Sequence, residues 1–152
     1  MNDALISRRA QIADASVIAA FNQAMALETE HKSLDPAVVG AGVLAVLDDD
    51  RRGFYLVAER AGVVVGCLMV TYEWSDWRNA DFWWIQSVYV RPEARRQGVY
   101  AMLYRQIEQQ ARAAGACGLR LYVENDNQAA MATYQRLGMA DARYRVMEQS
   151  LR

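Results

Sequence analysis

The chain of 152 residues is poor in the residues that cross-link, break or coordinate: two cysteines, two prolines and one histidine. Cys67 and Cys117 stand far apart, with no CxxC pair and no histidine nearby, so neither a disulfide framework nor a metal site is expected. Both lie in apolar, strand-like runs and read as small buried hydrophobes, which agrees with a reducing cytoplasm and a cytoplasmic protein. His31 abuts Lys32 in a polar stretch and reads as an exposed connector; no Ser-His-Asp set assembles around it. No apolar run approaches ~18 residues, and MNDALISRRA lacks an apolar h-region, so neither membrane spanning nor export is predicted. An excess of one charge is missing too. Seventeen Lys+Arg against 18 Asp+Glu leave a net charge of −1, which excludes a broadly basic surface for nucleic acid or anionic membrane.

Repeats, low-complexity tracts and Pro/Ser-rich linkers are also absent. One domain over residues 1–152 is therefore expected, large enough to bury a core from a composition that is 53% hydrophobic. Leu5 to Arg9 can form a first strand. From about Asp14, Val17, Ile18, Phe21, Ala24 and Met25 recur at helical spacing. Asp35-Pro36 pairs an N-cap acid with a proline at the first helical position, which predicts a second helix. GFYLVAER (53–60) and VVVGCLMVTYEW (63–74) read as strands joined by Ala61-Gly62, a hairpin signal. FWWIQSVYV (82–90) reads as a third strong strand. The next helix carries Val99, Met102, Leu103, Ile107 and Ala111 on one face and ends at Gly115. LRLYVE (119–124) alternates as a strand, NDNQAAMATYQRLG (125–138) reads as a capped helix, and MADARYRVMEQSL can return as one or two last strands. The order β-α-α-β-β-β-α-β-α-β(-β) is α+β in three α/β/α layers, with a mixed, mostly antiparallel sheet of six to seven strands and four helices.

Between the third strand and its helix lies VYVRPEARRQGVY (88–100). A helix N-terminus exposes unpaired N–H groups and partial positive charge, which suit phosphate. Gly98 removes a side chain where backbone must come close to a ligand, and Arg95 and Arg96 can add charge-assisted contacts. A plain solvated connection fits the turn equally well. A Walker loop would need a Lys-Ser/Thr after Gly98, and a dinucleotide fingerprint would need further glycines, so both are set aside. Asn127 and Tyr134 lie seven residues apart, on one face of a helix. Tyr134 offers a phenolic proton with an ordinary pKa near ~10, suited to protonating a departing thiolate.

VYVRPEARRQGVY with its following helix resembles motif A of the GNAT superfamily of N-acetyltransferases, and NDNQAAMATYQRLGM resembles that family's motif B. The element order matches the GNAT fold over nearly the whole chain. The resemblance implies that backbone amides of Arg95, Arg96, Gln97, Gly98, Val99 and Tyr100 cradle the pyrophosphate of acetyl-CoA. Val90 would pair with the pantetheine arm, amides around Val88, Tyr89 and Val90 would polarise the thioester carbonyl, Asn127 would sit near the thiol end, and Tyr134 would be the general acid. Tyr100 departs from the family pattern, standing where a small residue is usual.

An amine acceptor must lose a proton to attack, so a base or a water relay is needed. The strand before the turn carries Trp84, Ile85, Gln86 and Ser87, with no carboxylate. Glu73 and Asp81 are the candidate bases. Glu28 and Glu30, in ALETEH, are candidates for an acidic acceptor site. Trp83 and Trp84 must point to opposite faces of their strand, one of them into the core. Trp74 and Trp77, with Trp84, are candidates to border the acceptor as a cation–π surface. Cys67, mid-strand with no activating base, makes a poor nucleophile, which favours direct transfer in a ternary complex. The expected activity is acetyl transfer from acetyl-CoA, without a metal, to a small-molecule amine. A non-catalytic acyl-CoA-binding module and a protein or peptide N-acetyltransferase are the alternatives. A homodimer through a strand edge is compatible with the sequence.

Overall fold

A computed structural model describes residues 4–152 of the chain. Two compact units divide at Leu121, the second being Tyr122–Arg152. The first contains β1 (Leu5–Arg9), a 3-10 turn (Ile12–Asp14), α1 (Ala15–Glu30), α2 (Pro36–Asp48), β2 (Phe54–Arg60), β3 (Val63–Ser75), β4 (Ala80–Val90), a second 3-10 turn (Pro92–Ala94), α3 (Val99–Ala113) and β5 (Gly118–Leu121). The second contains α4 (Gln128–Arg136).

Local chemistry sets the boundaries. The Asp35 carboxylate accepts from Ala37 N–H at 2.9 Å with Pro36 at the first helical position, and α2 starts there. The β2–β3 turn holds Ala61 at φ 52° and Gly62 at φ 77°, the doubly left-handed turn that suits the twist of a hairpin. Gly53, at φ 147°, is required: a Cβ there would sit 2.0 Å from the Val70 carbonyl oxygen.

The sheet runs β1-β2-β3-β4-β5, antiparallel through β4, with β5 parallel to β4. Helices cover both faces, so β2 is buried throughout its first five residues. On one face Ile18 and Phe21 of α1 and Val43 of α2 pack with Tyr55, Val57, Cys67 and Tyr89. The other face lies under α3, whose Val99, Leu103, Tyr104, Ile107 and Ala111 are buried. Each fully buried aliphatic side chain there contributes about 1.5–3 kcal/mol of transfer free energy.

Four helices and a five-stranded mixed sheet lie among the described residues, an α+β architecture with fewer strands than the six to seven expected. Residues 139–152 carry no strand, and 141–152 are exposed throughout. Alternation such as Arg-Tyr-Arg-Val reports a two-faced segment only; a strand also needs a hydrogen-bonding edge. Cys117 is exposed, because the α3–β5 connection ends just beyond it, at Gly118. Cys67 is buried as expected.

Candidate active site at the β4 bulge and the turn into α3

The middle of β4 is irregular. Cys67 pairs with Tyr89 and Met69 with Gln86, so Leu68 alone faces both Ser87 and Val88. This is a β-bulge, and Ser87 takes φ 50° within it. A non-glycine residue in the left-handed region is strained, and such strain is maintained only where surrounding structure holds it. The Cys67 thiol donates to the Ser87 carbonyl at 3.7 Å. On the opposite edge the β4–β5 ladder ends at Ile85 with Leu121. Residues 86–90 therefore have no strand partner on that edge among the described residues. An extended stretch of backbone is left open to a ligand that can hydrogen-bond as a strand does.

Past Val90, Arg91 N–H donates to Val65 O at 2.8 Å and its guanidinium to Val64 O at 2.9 Å, pinning the strand end. Buried Ala94 anchors the 3-10 turn. Arg96 at φ 62° and Gly98 at φ 81° then reverse the chain into α3. The helix has no side-chain cap, and its first internal bond runs from Met102 N–H to Gly98 O at 3.0 Å. The first-turn amides thus lack an intrahelical carbonyl, at the positive end of a 15-residue helix. Nothing lies within 4 Å of where a Gly98 Cβ would project, so the turn is open there. Gln97 is held by Glu93 O at 3.0 Å and by Arg60. Tyr100 is half-buried, its ring 6.1 Å from that of Tyr104. The residues from Val88 to Tyr100 therefore form one continuous strand–turn–helix segment.

Glu28 joins this segment. Its carboxylate accepts from Arg95 at 2.8 Å and from the Tyr89 hydroxyl at 3.0 Å. The Arg95 guanidinium holds that carboxyl below the usual carboxylate range. Glu28 thus stands at the turn, and Glu30 is exposed at the end of α1. A contact across 67 residues leaves no local trace in the sequence. The bulge left a faint one, the polar pair Gln86-Ser87 inside an apolar strand.

Glu73, Trp74, Trp77 and Asp81 lie toward the hairpin end of β3 and β4. Glu73 accepts from Arg120 at 2.6 Å, and the Arg120 guanidinium lies over the Phe82 ring at 3.6 Å. Asp81 pairs across strands with Trp74, six residues before Ser87, which is ~20 Å at the ~3.3 Å rise of a strand. Trp83 is in the core, edge-to-face with Phe54 and Tyr72, while Trp84 is half-buried on the opposite face, beside the side-chain pair Gln86–Thr71. Trp77 is 88% exposed. In the second unit, Asn127 caps α4 by accepting from Ala130 N–H at 3.0 Å. Tyr134 lies two turns further along α4, and burial pushes its phenol above the usual tyrosine range.

Residues 19–139 match the model of the acetyltransferase (GNAT) family. A thialysine N-epsilon-acetyltransferase of Bos taurus is 32% identical over 78 residues, 51% of this chain and 45% of that protein. An IAA acetyltransferase of Azospirillum brasilense is 32% identical over 87 residues, 57% of this chain and 54% of that protein. The chain thus spans about half the length of these curated relatives. Among solved structures, a possible acetyltransferase from Clostridium difficile 630 superposes with a TM-score of 0.90 at 44% identity, covering 97% of both chains. A predicted acetyltransferase from Clostridium acetobutylicum, crystallised with acetyl-CoA, shares the fold at a TM-score of 0.79 and 12% identity, covering 96% of both chains. The family match over most of the sequence and the 44% identical structure agree: this chain belongs to the acetyltransferase (GNAT) family.

Proposed function

We propose that the protein transfers the acetyl group of acetyl-CoA to a small amine, directly, in a ternary complex. The observation that carries this reading is the conjunction of an open, bulged strand with an uncapped helix N-terminus one turn later. The open edge suits the amides of a pantetheine arm, and the turn from Arg95 to Tyr100 suits a pyrophosphate. Amides at Val88 to Val90 stabilise negative charge on the thioester oxygen.

In the transfer step the neutral amine nitrogen bonds to the thioester carbon and the carbon–sulfur bond breaks. Tyr134 gives its proton to the leaving thiolate, and the proton that the attacking nitrogen sheds as the amide forms passes to water. Burial keeps Tyr134 protonated, as a general acid must be. Water is assigned the base role because Glu73 is engaged by Arg120 and Asp81 is remote along the strand. Cys67 is unsuited to a covalent route, since burial pushes its thiol up to about 12. Asn127, as the cap of α4, sets the start of the helix that carries Tyr134. Trp84, with Gln86 and Thr71, is the proposed floor for the acceptor.

The test is release of free thiol from acetyl-CoA across amino acids, polyamines, aminoglycosides and peptides. At least one small amine is expected to turn over. Tyr134→Phe should lose about 100-fold or more in turnover while acetyl-CoA binding stays within a factor of about two. Wild-type rates in that variant would remove Tyr134 from the reaction, and silence across the whole panel would favour an acyl-CoA-binding module.

A further inference from the structure

The transfer chemistry proposed above makes no use of a cavity of about 380 Å³ at the β3–β4 hairpin end of the sheet. Its floor is two neighbouring cross-strand pairs, Tyr72 with Trp83 and Trp74 with Asp81. Strand alternation places all four side chains on the face under α3. The wall is Ala114, Gly115 and Ala116, at the C-terminal end of that helix. These residues are small, so the space in front of the rings stays open. The volume falls in the ~300–1,000 Å³ range of small-molecule sites.

The lining selects for charge of one sign. The rings of Tyr72 and Trp83 meet edge-to-face at 68° and Trp83 is buried, so the aromatic surface within reach of a ligand is that of Trp74 and half-buried Tyr72. Among the described residues that line it, Asp81 is the only one with a formal charge. The end of α3 adds the negative pole of its dipole. Arg9, whose charge reaches Tyr72, is paired with Asp50 at 3.3 Å and stacked on Phe54, so it does not neutralise Asp81. Trp74 is 61% exposed at this site, a large ring left in water. A bare metal ion or a strongly hydrated ammonium would have to shed water to meet such walls. An alkylated cation would not, because its methyl groups pack on the rings while its charge faces the carboxylate.

We infer that the cavity lined by Tyr72, Trp74, Trp83 and Asp81 binds a small methylated or quaternary ammonium ion. This ligand is not the acetyl acceptor. A quaternary nitrogen has no lone pair with which to attack a thioester, and Asp81 lies ~20 Å along β4 from the bulge. Asp81, which the sequence suggests as a base, and Trp74, which it suggests for the acceptor, serve a separate site under this inference.

Choline is the probe, with its uncharged isostere 3,3-dimethylbutan-1-ol as control, each titrated into the full chain while indole N–H resonances are followed. Choline should shift the Trp74 and Trp83 signals saturably and bind at least ten-fold more tightly than the alcohol. Asp81→Asn, Trp74→Ala and Trp74→Leu should each weaken choline at least ten-fold, the leucine variant showing that the ring rather than bulk is needed. Acetyl-CoA affinity should be the same with and without choline. Equal affinity for the neutral alcohol overturns the inference, as does choline binding that is undiminished in Asp81→Asn. Absence of any shift at tens of millimolar choline, or competition between choline and acetyl-CoA, also overturns it. The titration needs no turnover, so a failed acceptor screen would leave this result standing on its own.

Discussion

Gly98 illustrates how much one residue's backbone decides. A Cβ there would meet nothing within 4 Å, so bulk is not the obstacle. The obstacle is φ 81°, a conformation that costs an ordinary residue roughly 1–2 kcal/mol. Gly98→Ala should therefore lower stability by about that amount in urea unfolding. It should also raise the Kd for acetyl-CoA several-fold by calorimetry, because the turn that presents the amides relaxes. Unchanged stability and affinity together would mean that the turn tolerates another path. Glycine at this position and the two arginines before it were legible in the sequence because their effect is local. The partner of Arg95 was not: Glu28 lies 67 residues away, and no propensity or period relates the two. The same holds for Arg120 on Glu73, which took a candidate base into an ion pair.

At the scale of the element, β4 is a strand whose regularity is broken in the middle. Its ends were readable from apolar content and bounding polar residues, as were the helices with their caps and the Ala61-Gly62 hairpin. The bulge left only the faint trace of Gln86-Ser87, because two residues facing one is a property of the pair of strands, not of either alone. Ser87 at φ 50° is where that mismatch is absorbed. A β-branched residue fits this conformation worst, so Ser87→Val should cost about 1–3 kcal/mol. If the bulge also orients the amides of Val88 to Val90, turnover at saturating acetyl-CoA should fall more than the Kd rises. Steady-state rates beside a binding isotherm separate the two. A stability loss with an unaltered rate would restrict the bulge to a structural role. The last strands fail for the complementary reason. MADARYRVMEQSL was expected to return as one or two strands, but a segment without a paired edge does not make a strand.

For the whole molecule, near-neutral net charge hides a set of titrations that bracket its stability. On the acid side, Asp14 is buried and accepts from Arg8 at 2.7 and 2.9 Å, while Arg8 also reaches Glu59 at 2.6 Å. The Arg8 guanidinium holds the Asp14 carboxyl below its ordinary 3.8. A depressed carboxyl contributes stability above its unfolded value and loses it as pH falls through the folded one. On the alkaline side the core contains Tyr55 and Cys67, whose ordinary values are 10.0 and 9.0. Burial pushes both up to about 12. Such groups leave stability intact below their unfolded values and erode it as pH rises toward the folded ones, at up to about 1.4 kcal/mol per pH unit for each group. The free energy of unfolding should thus be flat through neutrality, fall below 3.8, and fall again above 9.0. Urea unfolding across pH, with tyrosine and tryptophan emission as the signal, measures this curve. Asp14→Asn should lower the neutral plateau by about 2 kcal/mol, the scale of hydrogen bonds to a charged group, and flatten the acid limb. Cys67→Ala should flatten the onset of the alkaline limb near 9.0, and Tyr55→Phe the part above 10.0. An alkaline limb that keeps its slope in both variants would show that deprotonation elsewhere unfolds the protein, and would remove the buried Tyr55–Cys67 cluster from the account of its stability.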